Sequence, residues 1–217
     1  MKKAVGPSID VKKHFTPKYS PWDQRLCLVP DADFFKVLKS GKATVETDTI
    51  ERFTETGIAL KSGKILEADL IITATGLTLK PMAGLEVIID GKPTKPSDHF
   101  SYYGVMGENS PNLISIFGYI NASWTLRADL ISTFFCKLIN YMDHKNFKIC
   151  TPRLRESDKG MEKIDFIERF NPGYITRSME KLPKQGTSEP WVNTQDYKRE
   201  KKYLGDPKFD DEALVFE

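Results

Sequence analysis

The sequence lacks the short motifs that identify most nucleotide-binding and metal-dependent enzymes. It contains no G-x-G-x-x-G, no G-x-x-x-x-G-K-[ST], no H-E-x-x-H and no G-x-S-x-G. The nearest glycine pair, Gly104 and Gly107, has neither a third glycine nor a helical pattern after it. A dinucleotide bound to this chain would therefore need a pyrophosphate-binding loop from elsewhere.

Cysteine, histidine and excess charge are also scarce. The three cysteines form no C-x-x-C, which argues against a zinc site and a disulfide framework, and the three histidines show no metal-ligand spacing. The 32 basic and 30 acidic side chains nearly balance, which disfavours nucleic acid as a main partner. The first 15 residues carry no apolar signal region, and the apolar runs are shorter than the roughly 18 residues of a membrane span. We expect a cytoplasmic protein without an integral membrane segment.

What is present is a chain of 217 residues, 40% hydrophobic, whose patterns alternate between helix and strand. Residues 31–41 predict a short helix that ends at Gly41. Residues 42–74 contain short β-prone runs separated by turns at 56–57 and 62–63. The last run contains Leu70, Ile71 and Ile72 without polar alternation, which predicts a strand buried on both faces of a parallel sheet.

The second part of the chain repeats this alternation. Residues 85–95 predict a strand that enters a tight turn at Asp90 and Gly91, and residues 110–120 predict another buried strand. Residues 121–147 form the longest helix pattern, with Asn121 or Ser123 as its N-cap and a broad apolar face at three- and four-residue steps. Beyond residue 150 the chain is rich in proline, glycine and aromatic residues, which is typical of a segment that wraps over a larger body.

Three stretches are candidates for function. "LIITATG" is either a crossing close to a cofactor, with Thr75 and Gly76 as contacts, or a core strand that ends in a turn. "FGYINASW" leads into a helix whose first-turn amides suit a ring that carries negative charge, although Asn121 could merely cap and Trp124 merely pack. Arg25 could hold an anion, or it could form an ion pair with Asp23 or Asp31.

Taken together and in this order, four segments resemble the C-terminal half of class B flavin-dependent monooxygenases of the Baeyer–Villiger type, near their ethionamide-activating branch. The segments are "PWDQRLCLVPDADFFKVLKSGK", "ADLIITATGL", "NLISIFGYINASWTLRADL" and "PGYITRSMEKLPKQG" with "PW" shortly after. The resemblance implies an α/β fold, namely an incomplete, glutathione-reductase-like flavoprotein with two dinucleotide-binding domains. It also implies FAD, NADPH, O2 and a small-molecule substrate, with one oxygen atom inserted into a ketone or added to sulfur or nitrogen through a C4a-peroxyflavin.

The resemblance further assigns domains and site residues. Residues 1–76 would be the C-terminal part of the NADPH-binding domain, 77–150 the C-terminal part of the FAD-binding domain, and 151–217 an extension that wraps the body. Arg25 matches the family's catalytic arginine. The cofactor contacts would be Thr75 and Gly76 at the crossing between domains and, at the helix facing the flavin, Asn121, Ala122, Ser123 and Trp124.

The family's two glycine-rich loops and the F-x-G-x-x-x-H-x-x-x-W signature do not occur in this sequence. Two hypotheses follow. The chain is either an enzyme portion, inactive by itself, that works with an N-terminal half supplied separately, or a non-catalytic remnant that acts as an interaction or homo-oligomerisation module. Under the first hypothesis the isolated chain should bind FAD poorly, because the missing loops would hold the phosphates.

Overall fold

The computed structural model describes residues 1–20, 23–24, 27–168 and 170–217. The chain divides into two compact units, Met1–Leu77 and Thr78–Glu217, which we call unit 1 and unit 2. No helix in the described ranges is both long and apolar enough to cross a membrane.

Unit 1 combines short helices with one small sheet. Its helices are α1 (Lys2–Val5), α2 (Val11–His14) and α3 (Asp33–Lys39). The strands β1 (Ile50–Thr54), β2 (Gly57–Leu60) and β3 (Ile65–Glu67) form an antiparallel meander in the order β1-β2-β3. The predicted helix before Gly41 and the predicted turns near residues 56 and 62 are confirmed. These signals are local, since glycine and polar turn residues define the reversals without help from distant parts of the chain.

Unit 2 is built around one long helix, α4 (Trp124–Lys145), which ends at Asn146 in a left-handed conformation. Within the described part of unit 2, the strands pair in four antiparallel ribbons, β4 (Val87–Ile89) with β5 (Lys92–Thr94), β6 (Ser101–Tyr102) with β7 (Met106–Gly107), β8 (Cys150–Pro152) with β11 (Leu214–Phe216), and β9 (Ile164–Asp165) with β10 (Lys184–Gln185). Two shorter helices follow α4, namely α5 (Gly173–Thr176) and α6 (Tyr197–Tyr203). The predicted hairpin at Asp90 and Gly91 is confirmed, with both residues at positive φ.

The core of unit 2 packs one face of α4 against residues that come from both sides of it in sequence. Leu130, Ile131, Phe134 and Leu138 form the buried face of the helix. They join a cluster that includes Trp191, which is fully buried. Residues after 150 therefore contribute directly to the core of unit 2, because the aromatic side chains of this irregular segment are buried there.

The two predicted buried strands do not form. Residues 68–80 contain no strand, and Leu70 and Ile72 are 77% and 81% exposed. Residues 113–118 contain only one bridging residue, Ile114, and Ile116 is exposed. A strand needs neighbours for its backbone amides and carbonyls, and a parallel sheet needs them on both sides. Beyond the single bridge at Ile114, the described residues supply no such neighbours, and their named strands pair only antiparallel. The mixed helix and strand content agrees with the α/β class, whereas the expected parallel sheet is absent from the described residues.

Candidate functional site

The candidate site is the passage from extended chain into α4. Gly118, Tyr119 and Ile120 are buried, and the chain then emerges so that Asn121, Ala122, Ser123 and Trp124 are all exposed. Four of the residues predicted to contact a cofactor therefore lie together on one accessible stretch. The same stretch carries the start of a 22-residue helix, whose aligned peptide dipoles place partial positive charge at this end.

Trp124 lies directly against the backbone of Gly118. A Cβ added at Gly118 would lie 2.2 Å from Trp124 Cδ2, so the indole occupies the space that any larger residue would need. The indole also contacts Phe117 edge to face, with 5.1 Å between ring centroids. Glycine is required here by this close approach. The predicted packing role of Trp124 is thus present, and nearly half of its surface still remains exposed.

Ser123 occupies the N-cap position of α4, but its side chain does not cap the helix. Its hydroxyl instead pairs with Thr125 Oγ1 at 2.8 Å. The prediction that Asn121 or Ser123 is the N-cap is confirmed for Ser123, although its hydroxyl bonds to Thr125 and not to the first-turn amides. Because the first turn of a helix has no intrahelical acceptors, this end can donate hydrogen bonds to a polar or anionic group.

A fully buried ion pair lies next to this exposed stretch in the chain, where Arg127 follows Trp124 in α4. Arg127 Nε donates to Glu200 Oε2 at 2.8 Å, and both side chains are 0% exposed. The same guanidinium donates to Phe117 O at 2.7 Å and to Tyr103 O at 3.1 Å. Arg127 therefore connects the first turns of α4 to the extended chain before it and, through Glu200, to α6.

Gly104 makes room for this guanidinium. Its φ is +70°, and an added Cβ would lie 2.9 Å from Arg127 Nη2 and 2.8 Å from Asn193 Oδ1. A residue with a side chain would thus be strained by its backbone conformation and would also displace two buried polar groups. The glycine that gave the incomplete nucleotide-binding motif serves a packing role in this structure.

Gln195 holds the segment between Phe117 and α4 from the other side. Its Oε1 accepts a hydrogen bond from Ile120 N at 2.9 Å, and its Nε2 donates to Gly118 O at 3.4 Å. Glu200 Oε1 in turn accepts from Gln195 N at 3.1 Å and from Thr194 Oγ1 at 3.2 Å. The segment that leads into the candidate site is thus held by side chains located about 70 to 80 residues later in the sequence.

A predominantly apolar groove of about 510 Å³ runs beside residues 113–117 in unit 2. Its apolar lining includes Met82, Leu85, Val87, Ile114, Ile116 and Leu182. The volume lies in the range of small-molecule sites. The groove is lined in part by the side chains of the predicted strand that did not form.

The remaining predicted residues lie elsewhere. Thr75 and Gly76 are exposed in unit 1, in an extended segment without secondary structure, and Gly76 has φ +102°. Arg25 lies outside the described residues. Sequence reasoning missed Arg127, Gln195 and Glu200. The available signal was the position of Arg127, which precedes Leu130, Ile131 and Phe134 on the apolar face at helical spacing.

Comparison with known proteins identifies clear relatives. The chain is 50% identical over 208 residues to a probable FAD-binding monooxygenase AlmA of an Acinetobacter species, an alignment of 94% of this chain and 41% of that protein. It is 50% identical over 207 residues to the FAD-containing monooxygenase EthA of Mycobacterium tuberculosis, covering 95% of this chain and 42% of EthA. It is 41% identical over 216 residues to the putative FAD-containing monooxygenase MymA of the same species, covering 100% of this chain and 43% of MymA.

The chain therefore spans less than half the length of each of these relatives. No protein-family model and no solved structure matches it significantly. The identity extends over nearly every segment described above, including both compact units. The predicted resemblance is confirmed: along almost its entire length, this chain is homologous to FAD-containing monooxygenases of the AlmA, EthA and MymA kind.

Proposed function

We propose that this chain is the portion of an FAD- and NADPH-dependent monooxygenase that carries the flavin-ring contact and the catalytic arginine. The whole enzyme would transfer one oxygen atom from O2 to a ketone, or to sulfur or nitrogen in a small molecule. The observation that carries the proposal is identity of 41–50% to monooxygenases over 94–100% of the chain. The Baeyer–Villiger assignment rests on the sequence resemblance.

The start of α4 fits the polar edge of a flavin ring. Asn121 and Ser123 are exposed there beside the first-turn amides, and the indole of Trp124 would shield the bound ring edge from water. FAD, when bound, would supply the redox chemistry for O2 activation. This chain would hold the ring edge through Asn121, Ala122, Ser123 and Trp124, and a helix N-terminus would favour negative charge on that edge.

We propose Arg25, Thr75 and Gly76 as further contacts of the cofactors in the whole enzyme. Arginine stays charged and offers several donors, which suits an anionic oxygen or the nicotinamide ribose. Thr75 and Gly76 would let the backbone pass close to the cofactor where the chain crosses from the NADPH-binding part, 1–76, to the FAD-binding part, 77–150. Residues 151–217 would form the extension that supports the second part.

Exposed apolar side chains support the idea that further protein covers both units. Leu70 and Ile72 are largely exposed in unit 1, and in unit 2 Ile116, Phe135 and Ile139 are each at least 40% exposed. Large apolar surfaces of this kind mark interaction sites. A partner that supplies two glycine-rich loops and neighbouring strands would bury these residues and would also bind the cofactor phosphates, for which this sequence has no motif.

Reconstitution tests the proposal. The chain should be expressed alone and together with a segment that carries two G-x-G-x-x-G loops, encoded upstream or taken from the N-terminal part of an AlmA-type relative. We expect a yellow complex that oxidises NADPH after gel filtration, whereas the isolated chain should be colourless. Stoichiometric FAD on the isolated chain would contradict the division of roles, and a colourless complex would contradict the function.

The interaction-module alternative has its own outcome in this experiment. A stable, colourless oligomer of the isolated chain that ignores both FAD and the added segment would favour that alternative. In the reconstituted enzyme, Arg25→Ala should abolish oxygenation and leave FAD bound. Arg25→Lys keeps the positive charge but lacks the planar fork of donors. Loss of FAD from Arg25→Ala would show that this arginine has a different role.

A further inference from the structure

The backbone of segment 117–121 is held by hydrogen bonds to side chains from outside it, while Phe117 and Ile120 pack into an apolar cluster. Phe117 O accepts from Arg127, Gly118 O accepts from Gln195, and Ile120 N donates to Gln195. These bonds belong to one connected network, because Glu200 bonds both to Arg127 and to the backbone of Gln195. The held residues lead directly into the exposed stretch Asn121–Trp124.

The buried ion pair of this network contributes little net free energy to folding. Burial of a carboxylate and a guanidinium carries a desolvation cost of several kcal/mol per ion, which the pairing roughly offsets. Apolar residues of similar size would give comparable stability in many proteins. What the ion pair provides here is geometry: the planar guanidinium reaches a carboxylate and two carbonyls at 2.7–3.1 Å, in directions fixed by its planar set of donors.

We propose that Arg127, Glu200 and Gln195 are positioning residues that set the geometry of the segment 117–121 and thereby the approach of Asn121–Trp124 to the flavin. They act through the backbone and touch no reacting atom. The link to flavin rests on the proposed function, whereas the positioning of the segment can be measured on this chain without any cofactor. Residues 194–200 of the C-terminal extension are then part of the site's scaffold.

The Ile120 amide is the direct reporter of this network, since its hydrogen bond depends on Gln195, which is bonded to Glu200, which is paired with Arg127. Amide hydrogen exchange should be measured at Ile120 in the folded chain. Arg127→Lys keeps the charge but cannot reproduce the fork, and Gln195→Met removes both contacts to the segment. We expect exchange at Ile120 to accelerate by about tenfold or more in each variant, the equivalent of one lost charge-assisted or buried hydrogen bond.

Two controls separate positioning from general stability. Lys137→Met removes another cation of α4 that also bonds a carbonyl of the extension, Gly205 O at 2.8 Å, but lies away from the segment. Leu138→Ala lowers stability through the core without touching the network. If Leu138→Ala accelerates exchange at Ile120 as much as Arg127→Lys does, or if Arg127→Lys leaves it unchanged, the proposal is overturned.

The absorption spectrum of flavin in the reconstituted enzyme provides a second test. Arg127→Lys and Gln195→Met should shift the visible absorption bands of bound flavin, and Lys137→Met should not. An unshifted spectrum in both variants, together with altered exchange at Ile120, would refute the link between segment and flavin. A wild-type complex without flavin would refute the proposed function instead, and the exchange data would still decide whether the three residues position the segment.

Discussion

Single polar residues fix loops of unit 2 through hydrogen bonds. Asn112 is one of them: its Oδ1 accepts from Cys150 N at 2.9 Å, and its own amide donates to Cys150 O at 3.0 Å. Asp158 is another, since it accepts from Trp191 Nε1 at 2.9 Å and from Arg155 Nε at 2.8 Å. Cys150 and Asp158 are buried members of these contacts, and each makes a prediction about one side chain.

Cys150 should not react with thiol reagents in the folded chain. It is 0% exposed, and burial raises the pKa of its thiol to about 12, so the reactive thiolate is nearly absent at neutral pH. Cys27 and Cys136 are exposed. We expect a thiol reagent to label these two cysteines in native buffer and all three in denaturant. Labelling of Cys150 at a rate comparable to that of Cys136 would contradict its burial.

Asp158 should make stability depend on acid pH. The hydrogen bonds from Arg155 lower its pKa from 3.8 to about 2, so the folded state favours the ionised carboxylate. That contribution is fully present above about pH 4 and disappears as pH falls toward 2. Asp158→Asn should therefore lower the urea midpoint at pH 7, and the difference from wild type should vanish near pH 2. A difference of equal size at both pH values would exclude a role of the charge.

At the scale of elements, α4 has two apolar flanks with different environments. Leu138 is 4% exposed in the core, whereas the adjacent Ile139 is 42% exposed. The sequence pattern predicts one broad apolar face that includes both residues, and the helix itself is confirmed. The exposed flank is a correction to that prediction, and periodicity alone could not reveal it because both flanks are equally hydrophobic.

This difference predicts unequal costs of truncation. Leu138→Ala should lower the free energy of unfolding by roughly 2–5 kcal/mol, because it removes a buried side chain and leaves a cavity. Ile139→Ala removes a similar side chain at the surface and should change the free energy of unfolding by less than about 1 kcal/mol. Urea denaturation of the isolated chain measures both. Equal losses in the two variants would show that the second flank is covered as well.

The strands show which sequence patterns predict structure from adjacent residues alone. The Asp90–Gly91 hairpin and the β1-β2-β3 meander were predictable because their turns are specified by a few adjacent residues. The segments 70–74 and 113–118 have equally strong β composition but are not strands. Their hydrogen-bonding partners would have to come from other strands, so composition cannot settle their conformation.

For the whole molecule, the apolar segment of unit 1 gives the clearest prediction. Ile72→Asp should change the unfolding free energy of the isolated chain by less than about 0.5 kcal/mol, since Ile72 is 81% exposed. Leu60→Ala, at a position that is 3% exposed in the same unit, should cost roughly 2–5 kcal/mol in the same urea experiment. A large loss from Ile72→Asp in the isolated chain would show that the segment is already packed.

The same pair of variants reports on the proposed complex. If a complementary segment buries residues 70–74, Ile72→Asp should weaken its association with this chain by at least about tenfold, because a carboxylate would be buried without a partner. Binding assays between the chain and the complementary segment, with Glu67→Gln as an exposed neighbouring control, measure this effect. Unchanged affinity would mean that the segment 70–74 is not part of the contact.

The sequence by itself determined the features that depend on neighbouring residues or on the order of motifs. These are the hairpin turns, the position of α4 and the relationship to flavin-dependent monooxygenases, which the relatives confirm. The tertiary structure decided the rest: Arg127 meets Glu200 across 73 residues, and two strand-like segments remain exposed. The physical reason is the same in both cases, because a buried charge and a β-strand are each stable only with partners, and the local sequence does not say which distant residues provide them.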